Sequence, residues 1–280
     1  MACIHRGVKL YESMACGAVH DCTKYHAKCV ATDAILNVIR PGVLETHHSC
    51  ESCPFRSEKK QPLLTIGMAT YRDWPGVWAT IQSLRLHHQA AMEHVQIVVV
   101  DNDPDGKPDE ASEFNHSWKC KHLCEMAGVR YEHFTTIHGT AAAKGRIFDM
   151  ATGAWVMVID CHVMLPTMVL DQFLGWIRKQ PADCKDLVQG PLIGDGGLTD
   201  IIGTHFRESW GGLMYGQWAI DERVHGDVME PFEIPMQGCG LFTCRRDQWP
   251  GFHPLLRGFG PEEWHLHQRI RRNGGKCLCL

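Results

Sequence analysis

Asp160 and His162 stand one residue apart at the end of an apolar run, Trp155, Val156, Met157, Val158 and Ile159, with Cys161 between them. A buried strand that delivers an Asp and a His at its carboxyl end can present a divalent cation to a ligand, because ligands of open α/β sheets collect outside those strand ends. One carboxylate and one imidazole suit Mn²⁺ and leave Mg²⁺ and other first-row ions open. The plainer reading is a polar residue finishing a strand. Two further strand ends carry polar clusters, Thr70-Tyr71-Arg72-Asp73 and Asp101-Asn102-Asp103. Parallel strands bring all three to one edge. There Asp101 can accept hydrogen bonds from a ribose or a base imide, with Thr70, Tyr71, Arg72 and Asn102 around the nucleoside. Lys144 and Arg146 lie near the start of an alanine-rich segment, where they either help hold a donor or are simply solvated. Glu262 and Glu263 precede a helical pattern, where the helix dipole favours carboxylates in any case. Their functional reading is contact with a hydroxyl of a bound ligand.

The elements that must position these groups follow from periodicity. Residues 63–69 read as a strand. Trp74, Val77, Trp78, Ile81 and Leu84 recur at helical spacing, and 96–100 is a β-branched buried strand. A second round repeats the pattern: a short strand over 129–134, a helix over 140–152, then the strand over 155–159 that ends in the acidic site. Alternating strand and helix predicts an α/β fold, a mostly parallel central sheet with helices on both faces. Residues 190–230, rich in glycine and aromatics such as Trp210, Tyr215 and Trp218, read as an acceptor loop. Aromatic faces stack on sugars and equally on bases; filling a small subdomain core is the rival role.

Six of fourteen cysteines fall in the first 53 residues, together with His5, His20, His26, His47 and His48. So small and apolar-poor a segment cannot stabilise itself by burial, and a structural Zn²⁺ can supply the missing energy. Cys50 and Cys53 form a C-x-x-C pair, and Cys16 and Cys22 flank His20. The expected ligands are Cys16, Cys22, Cys50 and Cys53, with Cys3, His5 and His20 as alternates. A disulfide framework is the competing reading, disfavoured by the missing apolar core of a secretory signal at the start. The predicted organisation is therefore a zinc-binding module over 1–55, a polar linker over 56–62 and a catalytic domain over 63–280.

The 280 residues are 44% hydrophobic and 21% charged, ordinary for a globular protein able to bury a core. A net charge of -4 gives no global reason to expect a polyanion. No window approaches the roughly 18 apolar residues of a membrane span. The expected location is cytoplasmic.

Taken in order, these motifs resemble the A-type fold of family 2 glycosyltransferases, and more specifically the polypeptide N-acetylgalactosaminyltransferase branch and its bacterial and viral relatives. The resemblance covers residues 63–280. Ala69-Thr70-Tyr71-Arg72 resembles the opening strand end, Asp101 the nucleoside-holding acid, and Asp160-Cys161-His162 the D-x-H form of the metal motif. Gln237-Gly238-Cys239-Gly240-Leu241-Phe242 resembles the glycine-rich segment beside the sugar, so Gly238 and Gly240 join the donor site. Gly258 to Trp264 resembles the segment that contains W-G-G-E-N. The resemblance implies a UDP-sugar donor, Mn²⁺ at Asp160 and His162, and a glycan, protein or other hydroxyl acceptor. A hydroxymethylated base in DNA is a minority acceptor, and a catalytically silent, zinc-bearing binding protein on the same fold is the alternative from another class. The D-x-H motif points to retention, whereas the Glu262-Glu263 pair resembles the acidic pair of inverting enzymes, in which a carboxylate is general base. The branch's third metal ligand, a His beyond the glycine pair, would lie past Leu280; His205 and His253 are the candidates to replace it. Neither the lectin domain of many of those enzymes nor a counterpart of the cysteine-rich module is shared.

Overall fold

A computed structural model of the protein describes residues 61–280, apart from 195–199, 213, 226–229 and 261. The expected zinc module, with Cys3, His5, Cys16, His20, Cys22, Cys50 and Cys53, lies outside the described residues.

Strand β1 (Leu64–Thr70) leads into helix α1 (Trp74–His87), short helix α2 (Gln89–Met92) and β2 (Val95–Asp101). Helix α3 (His116–Met126) and β3 (Arg130–His133) follow, then α4 (Thr140–Met150) and β4 (Trp155–Asp160). These four strands are parallel in the spatial order β4, β1, β2, β3. The chain therefore steps outward from β1 to β3 and then crosses back to the far side of β1. Strands β1 and β4 flank the switch point of the sheet, where the connections leave in opposite directions and a crevice opens.

Alternation along the strands sorts the core into two layers. Val98, Val100, Val156 and Val158 pack with Ala143, Ile147 and Phe148 of α4 in one cluster. Their neighbours Ile66, Met68, Val99, Met157 and Ile159 are equally buried and, by the two-residue period, face the other side. Trp176 of α5 (Val169–Ile177) meets Trp155 edge-on there, at 5.9 Å between ring centroids. Helices thus cover both faces, as the pattern predicted. Two glycines permit the close packing. A Cβ on Gly67 would sit 2.0 Å from Ile147 Cγ2, and one on Gly153 would sit 2.6 Å from the Thr65 backbone nitrogen.

The C-terminal half departs from a purely parallel sheet. Strands β5 (Leu187–Gln189), β10 (Phe232–Glu233), β11 (Leu241–Arg245) and β12 (Cys277–Cys279) extend it to eight strands, ordered β10-β12-β5-β11-β4-β1-β2-β3. Strand β11 runs antiparallel to β4 with Leu241 opposite Ile159, so its first residues meet the last of β4. The expected 190–230 loop instead carries β6 (Leu192–Ile193), β7 (Ile201–Gly203), and the hairpin of β8 (His205–Gly211) and β9 (Met214–Ala219). Glycine and polar residues break the apolar alternation there and hid these strands. Helix α6 (Glu262–Arg272) precedes β12. Among the described residues no helix is long and apolar enough to cross a membrane.

Candidate functional site

Antiparallel pairing of β11 with β4 delivers the glycine segment to Asp160. The Asp160 N–H donates to Gly240 O at 2.8 Å, and a Cβ at Gly240 would lie 3.1 Å from Asp160 Oδ2. Lys144 reaches the same point from the first turns of α4. Its buried ammonium lies 2.9 Å from Asp160 Oδ1 and donates to Cys239 O at 2.7 Å. A buried cation needs such partners, so Lys144 serves to orient Asp160 and the glycine segment together. Asp160 keeps one-third of its side chain accessible (33%).

His162 is exposed, and its Nδ1 lies 3.5 Å from Asp73 Oδ2. The Cys161 thiol lies 3.2 Å from the same oxygen, and the three ligand atoms fall within 4.8 Å of one another. Among the described residues Asp160 is not part of this cluster. Burial, then the Asp73 carboxylate, pushes the Cys161 thiol up to about 12. For Asp73, burial acts to raise the carboxyl pKa but is outweighed by hydrogen bonds from Cys161, the Gly76 N–H and His162, so the group is held below the ordinary range. Asp73 also caps α1, accepting from Gly76 N at 3.0 Å.

The expected nucleoside residues sit at the ends of β1 and β2. Asp101 is buried, with Oδ2 accepting from the Tyr131 hydroxyl at 2.8 Å and Oδ1 from the Asp103 N–H at 3.1 Å. Burial and then the charge of Asp101 raise the Tyr131 pKa, keeping the phenol a donor. Asn102 donates to Phe134 O and Ile137 O and accepts from Gly139 N. Both side chains therefore brace the loops around the crevice. The groups that face outward are Tyr71, with 58% exposure, and Arg72, whose guanidinium bonds Asp103 at 2.9 Å and Asp105 at 2.8 Å and lies 5.1 Å from the Tyr71 ring centroid. Thr70, the last residue of β1, is buried.

The two glutamates differ in surroundings. Glu262 is buried and accepts from Thr140 Oγ1 at the start of α4, while Thr140 N donates to Gly258 O at 3.0 Å. Glu262 thus fastens the 258–263 segment to α4. Glu263 is half-buried without that anchor, and burial, then the neighbouring Glu262 charge, raises its pKa. His267, one turn on and fully buried, places Nδ1 2.6 Å from Glu263 O and Nε2 3.1 Å from Gln237 N and 2.6 Å from Gln189 Oε1. Burial lowers its pKa to about 4.

A cavity of about 1820 Å³ gathers Lys144, Asp160, His162, Gly238, Gly240, Glu262 and Glu263 in its walls, together with Trp210, Tyr215, Trp218, Phe259 and Trp264. Thr70, Tyr71, Arg72, Asp101 and Asn102 stand outside that lining. His205 bonds Thr204 at 3.0 Å and His253 packs edge-on against His265. Neither lines the cavity or joins Asp160 and His162 in a group of potential ligands. Sequence reading missed Thr140, Gln189 and His267, and it named Asp73 as part of the polar cluster after β1 without giving it a role at the β4 end. Of these only Asp73 carried a local signal, a capping residue two positions before Pro75.

The chain can be superposed on the crystal structure of GalNAc-T7 with UDP, GalNAc and Mn²⁺ at a TM-score of 0.58 and 17% identity, covering 80% of this chain and 43% of that one. It spans less than half of that protein. Weaker likenesses are the mannosyltransferase PcManGT of Pyrobaculum calidifontis in complex with GDP-Man and Mn²⁺ (TM-score 0.48, 14% identity, 79% and 55% covered) and S. aureus TarS 1-349 (0.49, 13%, 78% and 57%). No curated protein sequence matches. The fold is that of the A-type glycosyltransferases. Residues 65–247 match the model of glycosyl transferase family 2, and the chain belongs to that family.

Proposed function

We propose that this protein transfers a sugar from a UDP-sugar to a hydroxyl acceptor with the help of a divalent cation. The observation that carries the reading is the convergence of Asp160, at the switch-point end of β4, and Glu263, at the start of α6, on one cavity. Family membership supports glycosyl transfer, and the similarity to a UDP- and Mn²⁺-bound structure favours this donor over others.

Asp160 and His162 would hold the cation. They fit it chemically: both line the cavity, Asp160 retains exposed surface beside its Lys144 contact, and an O and an N donor suit a first-row ion. When bound, such an ion neutralises the charge that develops on the departing diphosphate. Lys144 holds the Asp160 carboxylate in place through Oδ1, leaving Oδ2 toward Gly240. The backbone of Gly238 to Gly240 can approach the sugar closely because no side chain but Cys239 intervenes. Tyr71 and Arg72 flank the nucleoside end, on loops braced by Asp101 and Asn102. Glu263 takes the proton from the attacking hydroxyl, which makes the displacement in-line and inverting. Its raised pKa suits a base. Trp210, Tyr215 and Trp218 offer apolar faces to the acceptor, and the same faces match the apolar side of a sugar ring.

Calorimetric titration with UDP and with GDP, each with and without Mn²⁺, tests the donor half of this reading. UDP binding that strengthens with Mn²⁺ in the native protein but not in Asp160→Asn supports it. Failure of either nucleotide to bind in the presence of metal counts against it.

A further inference from the structure

The cluster of Asp73, Cys161 and His162 adjoins the Asp160 position and shares His162 with it, but its chemistry differs. It joins the loop after β1 to the loop after β4, and it contains a thiol. Asp73 Oδ2 is the hub, 3.2 Å from Cys161 Sγ and 3.5 Å from His162 Nδ1. A tetrahedral Zn²⁺, with bonds of about 2.3 Å to sulfur and about 2.0 Å to nitrogen or oxygen, separates its S and O ligands by about 3.5 Å and its N and O ligands by about 3.3 Å. The two spacings to Asp73 Oδ2 match within a few tenths of an ångström, and the sulfur and nitrogen ligand atoms lie within 4.8 Å of each other.

Supporting contacts fix the ligands. Asp73 Oδ1 is held by Gly76 N at 3.0 Å, which leaves Oδ2 for the cluster, and the Cys161 carbonyl is held by Thr80 Oγ1 at 2.9 Å. Gly76 keeps the space clear: a Cβ there would lie 2.4 Å from Asp73 Oδ2 and 2.8 Å from Cys161 O. Exposure of His162 leaves a path for an ion and room for water as fourth ligand.

We propose that Asp73, Cys161 and His162 form a second cation site selective for a soft divalent ion of the zinc class, distinct from the position at Asp160. Thiolate is a poor ligand for Mn²⁺ and Mg²⁺, so those ions do not compete for the Cys161 sulfur. Binding releases the thiol proton to solvent and forms Zn–S, Zn–N and Zn–O bonds. The two sites share His162, so zinc withdraws that imidazole from the donor-site ion and inhibits transfer. This last consequence rests on the proposed function; occupancy does not.

The experiment uses the full chain stripped of metal and titrated with Zn²⁺ against a chromophoric chelator. Native protein is compared with Cys161→Ala, Asp73→Asn and Asp160→Asn, so that any ions held by the N-terminal cysteines are common to all four. Asn at position 73 retains an oxygen to cap α1. Melting curves in metal-free buffer establish that each variant is folded. The expected result is one fewer tight equivalent in Cys161→Ala and in Asp73→Asn, or weakening beyond the ~10–100-fold cost of losing an outer-shell partner, with Asp160→Asn unchanged. Cobalt in place of zinc should show less thiolate charge-transfer absorption in Cys161→Ala than in native protein. Equal zinc number and affinity in native protein, Cys161→Ala and Asp73→Asn would overturn the proposal and leave the cluster a helix cap packed on a strand end. If no sugar transfer is found, the metal count still decides the matter.

Discussion

His267 gives a prediction whose sign and size both follow from its surroundings. Its ring is fully buried between Gln189, Gln237 and α6. The Glu263 carbonyl oxygen lies 2.6 Å from Nδ1 and favours a proton there, whereas the Gln237 N–H donates to Nε2 and favours a bare nitrogen. Burial opposes the charge and outweighs the Glu263 carbonyl, lowering the pKa from 6.5 to about 4, with the Arg271 charge acting in the same direction as burial. In the folded protein the ring is therefore neutral, while in the unfolded chain it gains a proton as pH falls through about 6.5. The unfolded state then binds more protons, and stability is lost as pH drops. The slope approaches about 1.4 kcal/mol per pH unit between roughly 6.5 and 4, about 3 kcal/mol in all. Glu263 works the other way, since its raised pKa makes the folded state take up a proton first. The assay is urea unfolding of native protein and His267→Asn at several pH values from 7.5 to 4.5. Asn will lower stability throughout, so the quantity read is the difference between the two curves. That difference should shrink as pH falls. Parallel curves would refute the neutral buried ring.

Glu263→Gln should lower kcat by about 10²–10⁴-fold while donor binding is kept, as steady-state and titration data would show. In native protein the acid limb of the rate profile should lie above the ordinary glutamate range near 4.3, because the base stays protonated to higher pH. Lys144→Met leaves Asp160 facing the cavity without its cation and removes the donor to Cys239 O; a loss of about 3 kcal/mol is expected, the low end for a broken buried pair because Asp160 is partly exposed. Denaturant midpoints check it. Gly153→Ala drives a methyl against the Thr65 and Leu64 backbone, which cannot swing aside, and should cost at least about 2 kcal/mol in the same measurement.

The first half of the sheet was legible because its strands are buried on both faces and therefore written as β-branched runs. The expected strands over 63–69, 96–100 and 155–159 shift by only a residue or so at their ends. Helix α5 carries Leu170, Phe173, Leu174 and Ile177 at full helical spacing, a signal present but not read. Helix α3 has no such stripe, being built from His, Lys and Cys as much as from apolar residues. At the site, each motif could be found alone, but meetings could not. Asp73 reaches Cys161 and His162 only because β1 and β4 pair in parallel with Ala69 opposite Asp160. The burial of His267, beside the half-exposed His265, depends on which face α6 turns to β5 and the glycine segment. Asp101 and Lys144 read as ligand contacts from their strand-end and helix-start places. Their partners inside the protein, Tyr131 and Asp160, come from other elements, so those hydrogen bonds had no local signal.

The central claim is that a cation at Asp160 activates a nucleotide sugar. It is tested most directly by following nucleotide release from a panel of UDP- and GDP-sugars, with Mn²⁺ and with chelator, in native protein and in Asp160→Asn. The expected result is release from a UDP-sugar that needs Mn²⁺ and disappears in the folded variant. Release that is indifferent to both metal and Asp160, or its absence with every donor, would contradict it.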